Sequence, residues 1–562
     1  MKQLQASEVP LHKVFSSDYH FKIPDYQRPY AWEQDQAGQL LDDVVESMAR
    51  SADEPYFLGS LILVKQAGVA SADVIDGQQR LTTLTILFAV LRDLTAVHEL
   101  QTELSDFIRE RGSLSQGLKP EPRLALRPKD RQFFATHVQV PGAIGGLLEL
   151  KPDSLKTDAQ KAIQANARLF WEQLSDWDDG DRLALVQRLS TQTWLVVVST
   201  PDLDSAHRIF SVMNARGLDL SPTDIFKAQL IGDLPDDQSA AYAERWENAE
   251  EDLGRTGFVE LFIHLRMLVA KTRAKRELLK EFPEQVLSKY TPGNKTEFID
   301  DLLLPYAAAL ETINSQQYEA TAGAEAVNQW LRRLGQLDNS DWRPPAMWAL
   351  RHHADDPAWL DAFLRHLERL AAAMFICRTY TTPRAQRYID LLGQLDEGAG
   401  LDAPAFSLSQ NERAETITRL SGDLYLESKT RKYVLLRLDE MLANTSGATY
   451  QHGLITVEHV LPQHPAQGSQ WLEWFTDDER ATWTHRLANL VLLNRAKNAE
   501  AQNYEFELKK QKYFTGKAGT SNFALTSQVL NHTVWAPTEL EARQLQLLQT
   551  LRAGWRLSDD DA

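Results

Sequence analysis

The chain of 562 residues has one cysteine, Cys377. That excludes an intrachain disulfide and any cysteine-rich zinc site. No apolar run reaches the roughly 18 residues that a membrane-spanning helix needs. The opening residues, Met1-Lys2-Gln3-Leu4-Gln5, lack the apolar core of a secretory signal. These absences point to the cytoplasm and to no membrane partner. Basic charge is also in short supply. Lys and Arg number 60 against 78 Asp and Glu, a formal net charge of −18. So acidic a chain does not bind nucleic acid indiscriminately, and any contact with DNA must use a local patch. No Walker A sequence occurs, which argues against a P-loop fold.

The remaining composition, 43% hydrophobic and 25% charged, is that of an ordinary globular protein. The length calls for roughly two to four domains. Composition shifts divide the chain into 1–235, 236–405 and 406–562. The first part mixes strands and helices. Residues 56–64, 73–75 and 193–199 read as strands, and 81–94 and 205–213 as helices. The stretch 112–128 holds Gly112, Gly117, Pro120, Pro122 and Pro128 and reads as a loop. The middle is rich in Ala, Leu, Glu and Arg and reads as helical throughout. A long helix over 411–442 leads into the last part. The fold class is therefore α+β and multidomain. The tail Asp559-Asp560-Asp561 reads as disordered.

The richest chemistry lies near the C-terminus. Glu458-His459-Val460-Leu461-Pro462 follows a short β-type run at 454–457. A second apolar run, Leu490-Val491-Leu492-Leu493, is flanked by Asn489 and Asn498. A histidine can deprotonate a water. Carboxylate and amide oxygens can hold a hard divalent cation, Mg²⁺ or Mn²⁺, against a scissile phosphate. Strand, loop, strand and helix around one ion make the ββα-metal arrangement of HNH (His-Me finger) nucleases, which this segment resembles. His459 reads as the general base, and Glu458 and Asn498 as metal ligands. Asn489 joins the catalytic group as a brace for the loop that carries His459. His485 reads as a third ligand or a phosphate contact. The local basic patch is here too: Arg486, Arg495, Lys497, Lys509, Lys510, Lys512 and Lys517 face only Glu500, Glu505 and Glu507. Arg495, Lys497, Lys509, Lys510 and Lys512 are the candidate DNA contacts.

A second constellation sits near the N-terminus. Asp76-Gly77-Gln78-Gln79-Arg80 lies between a strand and a helix. The glycine allows a tight turn, and the helix start favours an anion. Asp76 can hold a metal or orient a water, and Arg80 can pair with phosphate. Asp-Gly also occurs at such junctions for geometry alone. Two further clusters point the same way. Arg28 stands among aromatics and prolines in Tyr26-Gln27-Arg28-Pro29-Tyr30-Ala31-Trp32, and Arg216 stands in a glycine-containing loop, Asn214-Ala215-Arg216-Gly217.

Taken together, Tyr26-Gln27-Arg28-Pro29-Tyr30, Tyr56-Phe57-Leu58-Gly59-Ser60, Asp76-Gly77-Gln78-Gln79-Arg80-Leu81-Thr82-Thr83 and Phe210-Ser211-Val212-Met213-Asn214-Ala215-Arg216-Gly217 resemble the N-terminal domain of GmrSD-type proteins. The segment 458–498 resembles that family's second domain, an HNH-like nuclease. The resemblance implies a ParB/sulfiredoxin-like α/β domain that binds and hydrolyses a nucleoside triphosphate (GTP, ATP or UTP) through residues 76–80, Arg28 and Arg216. It implies a nuclease acting on modified phage DNA, as type IV restriction enzymes do. A homodimer stays open, as do two other readings: a nucleotide-dependent DNA-binding switch with weak nuclease activity, and an abortive-infection nuclease that cuts RNA. Two departures from the family pattern stand out. Glu458 replaces a frequent Asp. Ala488 replaces a frequent Gly, which is tolerable if the backbone there is not left-handed.

Overall fold

The computed structural model describes residues 4–50, 55–113, 119–202, 205–206, 209, 222–232, 234–291, 293–443, 455–494, 503–514 and 523–558. Arg216 with its loop 214–221, Arg495, Lys497, Asn498 and the tail lie outside the described residues. The chain divides into two compact units, Met1–Asn248 and Ala249–Ala562.

The first unit is built on a six-stranded mixed sheet. Its strands are β1 (Gln5–Pro10), β2 (His20–Lys22), β3 (Tyr56–Lys65), β4 (Ser71–Asp76), β7 (Leu124–Ala125) and β8 (Thr193–Thr200), in the order β1-β8-β3-β4-β2-β7. The short strands β5 (Arg109–Glu110) and β6 (Glu121–Pro122) pair with each other. The strands expected at 56–64, 73–75 and 193–199 are therefore present, each slightly longer. The loop expected over 112–128 is not wholly irregular. It contributes β6 and β7, and β7 extends the sheet by pairing in parallel with β2. Parallel β3 and β8 slip register between Phe57 and Ser60, a bulge centred on Leu58-Gly59.

Two helices matter for the site. Helix α1 (Gln34–Arg50) is amphipathic and covers part of the core. Helix α2 (Gln78–Leu94) begins directly after β4. Leu81, Leu84, Leu87, Phe88 and Leu91 are buried, and so are Thr82, Thr83, Thr85, Ile86, Ala89 and Val90. A helix without a wet face is a central element. The first residues of α2 are thus held rigidly where they meet the sheet. Helices α3 (Asp158–Leu174) and α4 (Pro222–Ile231) follow. Helix α5 (Asp236–Ala270) crosses the boundary between the units and departs from helical geometry at Gly254, φ 66° and ψ 161°.

The second unit is mostly helical until a small C-terminal hairpin. Helix α6 (Pro357–Ile376) supplies buried Glu368, which accepts from Tyr433 Oη at 2.6 Å and Arg437 Nε at 2.7 Å. The single long helix expected over 411–442 is two helices, α7 (Gln410–Ser421) and α8 (Thr430–Ala443), with a 3₁₀ turn at Leu424–Leu426 between them. Gly422 stops the first at φ −85° and ψ −158°. Glycine is about 1 kcal/mol worse than alanine in a helix interior, which makes it a natural stop. Strands β9 (Ile455–His459) and β10 (Leu490–Asn494) pair antiparallel, with His459 opposite Leu490 and Glu458 opposite Val491. Helix α9 (Phe506–Phe514) packs Phe506 and Tyr513 into a core with Val460, Leu461, Trp471, Val491, Leu493 and Trp535. Helix α10 (Pro537–Gly554) closes the unit.

Candidate active site

The C-terminal site starts from β9. Successive residues of a strand point to opposite faces, so Glu458 and His459 turn to different neighbours. The Glu458 carboxylate meets Lys509 of α9, Nζ to Oε1 at 2.9 Å. The same ammonium donates to the carbonyl of His459 at 2.6 Å. Lys509 is 1% exposed, so this is a buried ion pair. Burial pushes the Glu458 pKa up, opposed by Lys509, and pushes the Lys509 pKa down, opposed by Glu458. Lys509 was expected to touch DNA, and it does not face solvent. The helical period places it on the inner face of α9, where its stem joins the core and its charge meets the Glu458 carboxylate.

His459 sits on the other side among Gln463, His485 and Tyr425. Its Nε2 lies 3.3 Å from His485 Nδ1, and its Nδ1 lies 3.3 Å from Gln463 Nε2. The Tyr425 ring covers it at 3.9 Å between centroids and stacks on His485 at 5.6 Å. The residue is 5% exposed. Burial, then the neighbouring His485, Lys509 and Arg431, push its pKa down to about 3. The imidazole is therefore neutral at pH 7 and keeps one lone pair in either tautomer. A general base needs a free lone pair and a pKa near the working pH. The ring has the lone pair, but burial in this arrangement makes it a weak acceptor, and opening of the cover would restore its basicity.

Asn489 is fully buried, and its amide braces the loop after His459. Its Oδ1 accepts from Leu461 N at 2.7 Å and Trp535 Nε1 at 3.2 Å. Its Nδ2 donates to Leu461 O and Thr484 O, both at 2.9 Å. Both donors and both acceptor positions of the amide are taken. Asn489 therefore positions the loop and has nothing left for a ligand. Ala488 fits beside it without strain: its backbone is not left-handed, its N–H donates to Gln544 Oε1 at 2.8 Å, and its carbonyl accepts from Arg543 Nε at 3.0 Å.

The candidate DNA contacts are only partly gathered. Lys510 binds Glu507 and the His532 carbonyl, both at 2.8 Å, and lies over the Phe506 ring. Lys512 is half-buried on the same helix. Among the described residues, no three His, Cys, Asp or Glu side chains converge on one point that could hold an ion. Glu458 is engaged by Lys509. The described donors do not by themselves form a Mg²⁺ site.

At the N-terminal site the structure brings the sequence clusters together. Gly77 adopts φ 95°, and a Cβ there would lie 2.7 Å from Leu61 Cδ1, so the turn needs glycine. Gln79 clamps the 26–32 loop: Oε1 accepts from Ala31 N at 2.8 Å and Trp32 N at 3.2 Å, and Nε2 donates to Pro29 O at 3.0 Å. Gln78 Nε2 donates to Arg28 O at 3.1 Å, and Gln27 Nε2 to Ile75 O at 3.2 Å. The two glutamines are thus struts that carry Arg28 toward Asp76. Arg80 Nη2 lies 3.7 Å from Asp76 Oδ2, and Nη1 donates to the Ser60 carbonyl beside the β3 bulge. At Gly59, φ 116°, a Cβ would lie 3.1 Å from Arg80 Nη1, so the bulge makes room for the guanidinium. Burial raises the Asp76 pKa, while Arg80, the Gly77 N–H and Arg28 lower it.

Residues 11–231 match the N-terminal domain of GmrSD restriction endonuclease, and residues 410–550 match the C-terminal domain of GmrSD restriction endonucleases. The chain belongs to the GmrSD family. It is a DNA endonuclease of restriction, and DNA is its substrate. A search of curated proteins found no match. Among the described residues of this GmrSD chain, no helix is long and apolar enough to cross a membrane.

Several residues at these sites escaped the sequence reading. Tyr425, in the break between α7 and α8, and Arg431, in the first turn of α8, act on His459. Arg431 lies over the Tyr425 ring at 4.3 Å and donates to its carbonyl at 2.7 Å. Gly422 was the available sign of that break. Arg127, Asp130, Lys227 and Glu247 form a buried charged group beside Gln78 and Gln79. Lys227 was visible as a lone lysine in the apolar run Phe226-Lys227-Ala228-Gln229-Leu230-Ile231.

Proposed function

We propose that this GmrSD chain is a nucleotide-regulated endonuclease that cuts modified phage DNA, with His459 as general base. The observation that carries the reading is the neutral, buried imidazole at the end of β9, on a loop fixed by Asn489. A water between His459 and a phosphodiester would give up its proton to a ring nitrogen as its oxygen attacks phosphorus, taking the place of the Gln463 or the His485 contact at that nitrogen. Arg431 lies over the Tyr425 ring that covers His459, and it supports charge on the phosphate. A requirement for Mg²⁺ or Mn²⁺ belongs to the reading on the chemistry of the substrate, whose developing negative charge favours a hard cation. The hydrolysis of a nucleoside triphosphate is assigned to the turn at 76–80, where Asp76 orients water and Arg28 and Arg80 answer phosphate charge.

The decisive experiment is nicking of modified phage DNA by the full chain carrying His459→Ala. Removing a general base typically lowers the rate by ~10²–10⁴-fold. Nucleotide hydrolysis should be unchanged in the same preparation, because the turn at 76–80 lies in the other unit. Cleavage at the wild-type rate by the folded variant would end the assignment. Total RNA in a parallel reaction separates this reading from an RNA-cleaving one.

A further inference from the structure

Arg127, Asp130, Lys227 and Glu247 bury two cations and two carboxylates next to the turn at 76–80. One oxygen of Glu247, Oε1, takes both cations: Lys227 Nζ at 2.8 Å, and Arg127 Nη1. Arg127 Nη2 reaches Asp130 at 2.7 Å, and its Nη1 also reaches the Gln27 carbonyl at 3.4 Å. The side chains are nearly inaccessible: 1% for Lys227, 6% for Arg127, 2% for Asp130 and 11% for Glu247.

The group borders a void lined by Arg28, Gln78, Gln79, Arg127 and Asp130 among others. Its volume is about 10 Å³, room for about one water. Among the described residues, Arg127 Nε and Asp130 Oδ1 have no hydrogen-bond partner. Buried polar atoms without partners cost about 1–3 kcal/mol each. An incoming phosphate oxygen would satisfy the Arg127 Nε donor, whereas Asp130 Oδ1, an acceptor, needs a donor such as the one water the void can hold.

We propose that Glu247 is an internal stand-in for phosphate. In the nucleotide-free protein its carboxylate holds the Arg127–Lys227 cation pair, and a nucleoside triphosphate at the turn takes that pair over and frees Glu247. This rests on the nucleotide reading of residues 76–80. Guanidinium and ammonium groups bind phosphate and carboxylate alike, and a phosphate offers more charge and more acceptor oxygens. The void is too small for a triphosphate, so the phosphates reach Arg127 only as Glu247 leaves. Glu247 stands on α5 beside fully buried Trp246, and the helix breaks at Gly254 about two turns further along. Exchange of one anion for another therefore acts on the helix that continues into the second unit. That is the differential affinity which coupling requires.

The test measures binding of tripolyphosphate and of the β,γ-imido analogues of GTP, ATP and UTP to the full chain by calorimetry. Glu247→Gln should tighten binding by about tenfold, within the usual range of coupling. Lys227→Met should weaken it by a similar factor, and adding Glu247→Gln to Lys227→Met should recover much less than it gains alone. Folded Glu247→Gln that binds no tighter overturns the exchange while leaving the nucleotide reading intact. Failure of wild type and Glu247→Gln alike to bind any of these probes overturns both. Glu247→Gln leaves two cations with Asp130 as their one carboxylate in the group, so hydrogen exchange of the wild type is the companion measurement. Amides of α5 around Glu247 should exchange faster with a bound analogue. Unchanged protection at saturation refutes the release of Glu247.

Discussion

Lys509→Met is the sharpest test of how the C-terminal site is built. The ammonium makes two contacts, 2.9 Å to Glu458 and 2.6 Å to the His459 carbonyl, at 1% exposure. Removing it leaves the Glu458 carboxylate buried and without its cation, a change that costs about 3–5 kcal/mol. On a unit of this size the melting temperature should fall by roughly 5–10 °C. The pH dependence has a definite sign. The folded pKa of Glu458 already lies above its unfolded value through burial. Loss of Lys509 raises it further, so the folded variant takes up a proton that the unfolded chain does not hold. The deficit is therefore largest above the folded pKa and shrinks as pH falls toward the ordinary glutamate value. Lys509→Met with Glu458→Gln removes both charges and should recover most of the loss. The assay is thermal unfolding of the three variants between about pH 5 and pH 8, spanning the range above the ordinary glutamate pKa. If Lys509→Met melts with the wild type and only loses affinity for DNA, the lysine is a DNA contact after all and the strut assignment is wrong.

Excess EDTA should abolish nicking, and added Mg²⁺ or Mn²⁺ should restore it; full activity in EDTA rules out the divalent requirement. Asp76→Ala and Arg80→Ala should each abolish nucleotide hydrolysis, measured as phosphate release, and if both variants hydrolyse normally the turn is only structural. The kcat/KM profile for nicking should lack an acid limb near the ordinary histidine value of about 6.5, because the folded pKa of His459 is about 3. The same depression means that folding stability is lost as pH falls below the unfolded histidine value, a loss that His459→Gln should reduce in acid melting curves.

The parts of the fold that sequence made legible were those with a strong local pattern. The strand at 193–199 is a run of Val and Leu, and the helix at 81–94 repeats Leu at helical spacing. Strand β1, Gln5-Ala6-Ser7-Glu8-Val9-Pro10, has no such pattern, because four of its six residues face solvent at the sheet edge. Its pairing with β8 is set by backbone hydrogen bonds that composition does not record. The site was legible as residue types and less so as partners. Glu458 beside His459 reads as a metal ligand next to a general base, yet strand alternation sends them apart, and Lys509 lies too far along the chain for any spacing rule to pair it with Glu458. Gln78 and Gln79 read as nucleotide contacts and are first of all struts for the 26–32 loop. Tyr425 was hidden because a helical period runs almost unbroken through 411–442 apart from one glycine.

Both candidate sites are closed in this conformation, and the two closures differ in strength. Over His459 lies one tyrosine ring, itself covered by Arg431. An aromatic contact of this kind is worth about 0.5–1.5 kcal/mol, and an exposed cation–π pair about 0.5–1 kcal/mol. Lifting that cover therefore costs on the order of 1–3 kcal/mol, a closed-state excess of roughly ten- to a hundredfold. A DNA duplex that binds the open arrangement better by a few contacts can reverse such a balance. Around Arg127 and Lys227 the closure is made of desolvated charges, and pulling one anion away without replacing it costs several kcal/mol. Only another anion of at least equal charge can take that place. The nuclease site is thus poised to yield to its substrate, while the N-terminal site, on the exchange proposed above, would open only to a polyphosphate. That is the order of stringency expected where the nucleotide sets the state and DNA decides the cut.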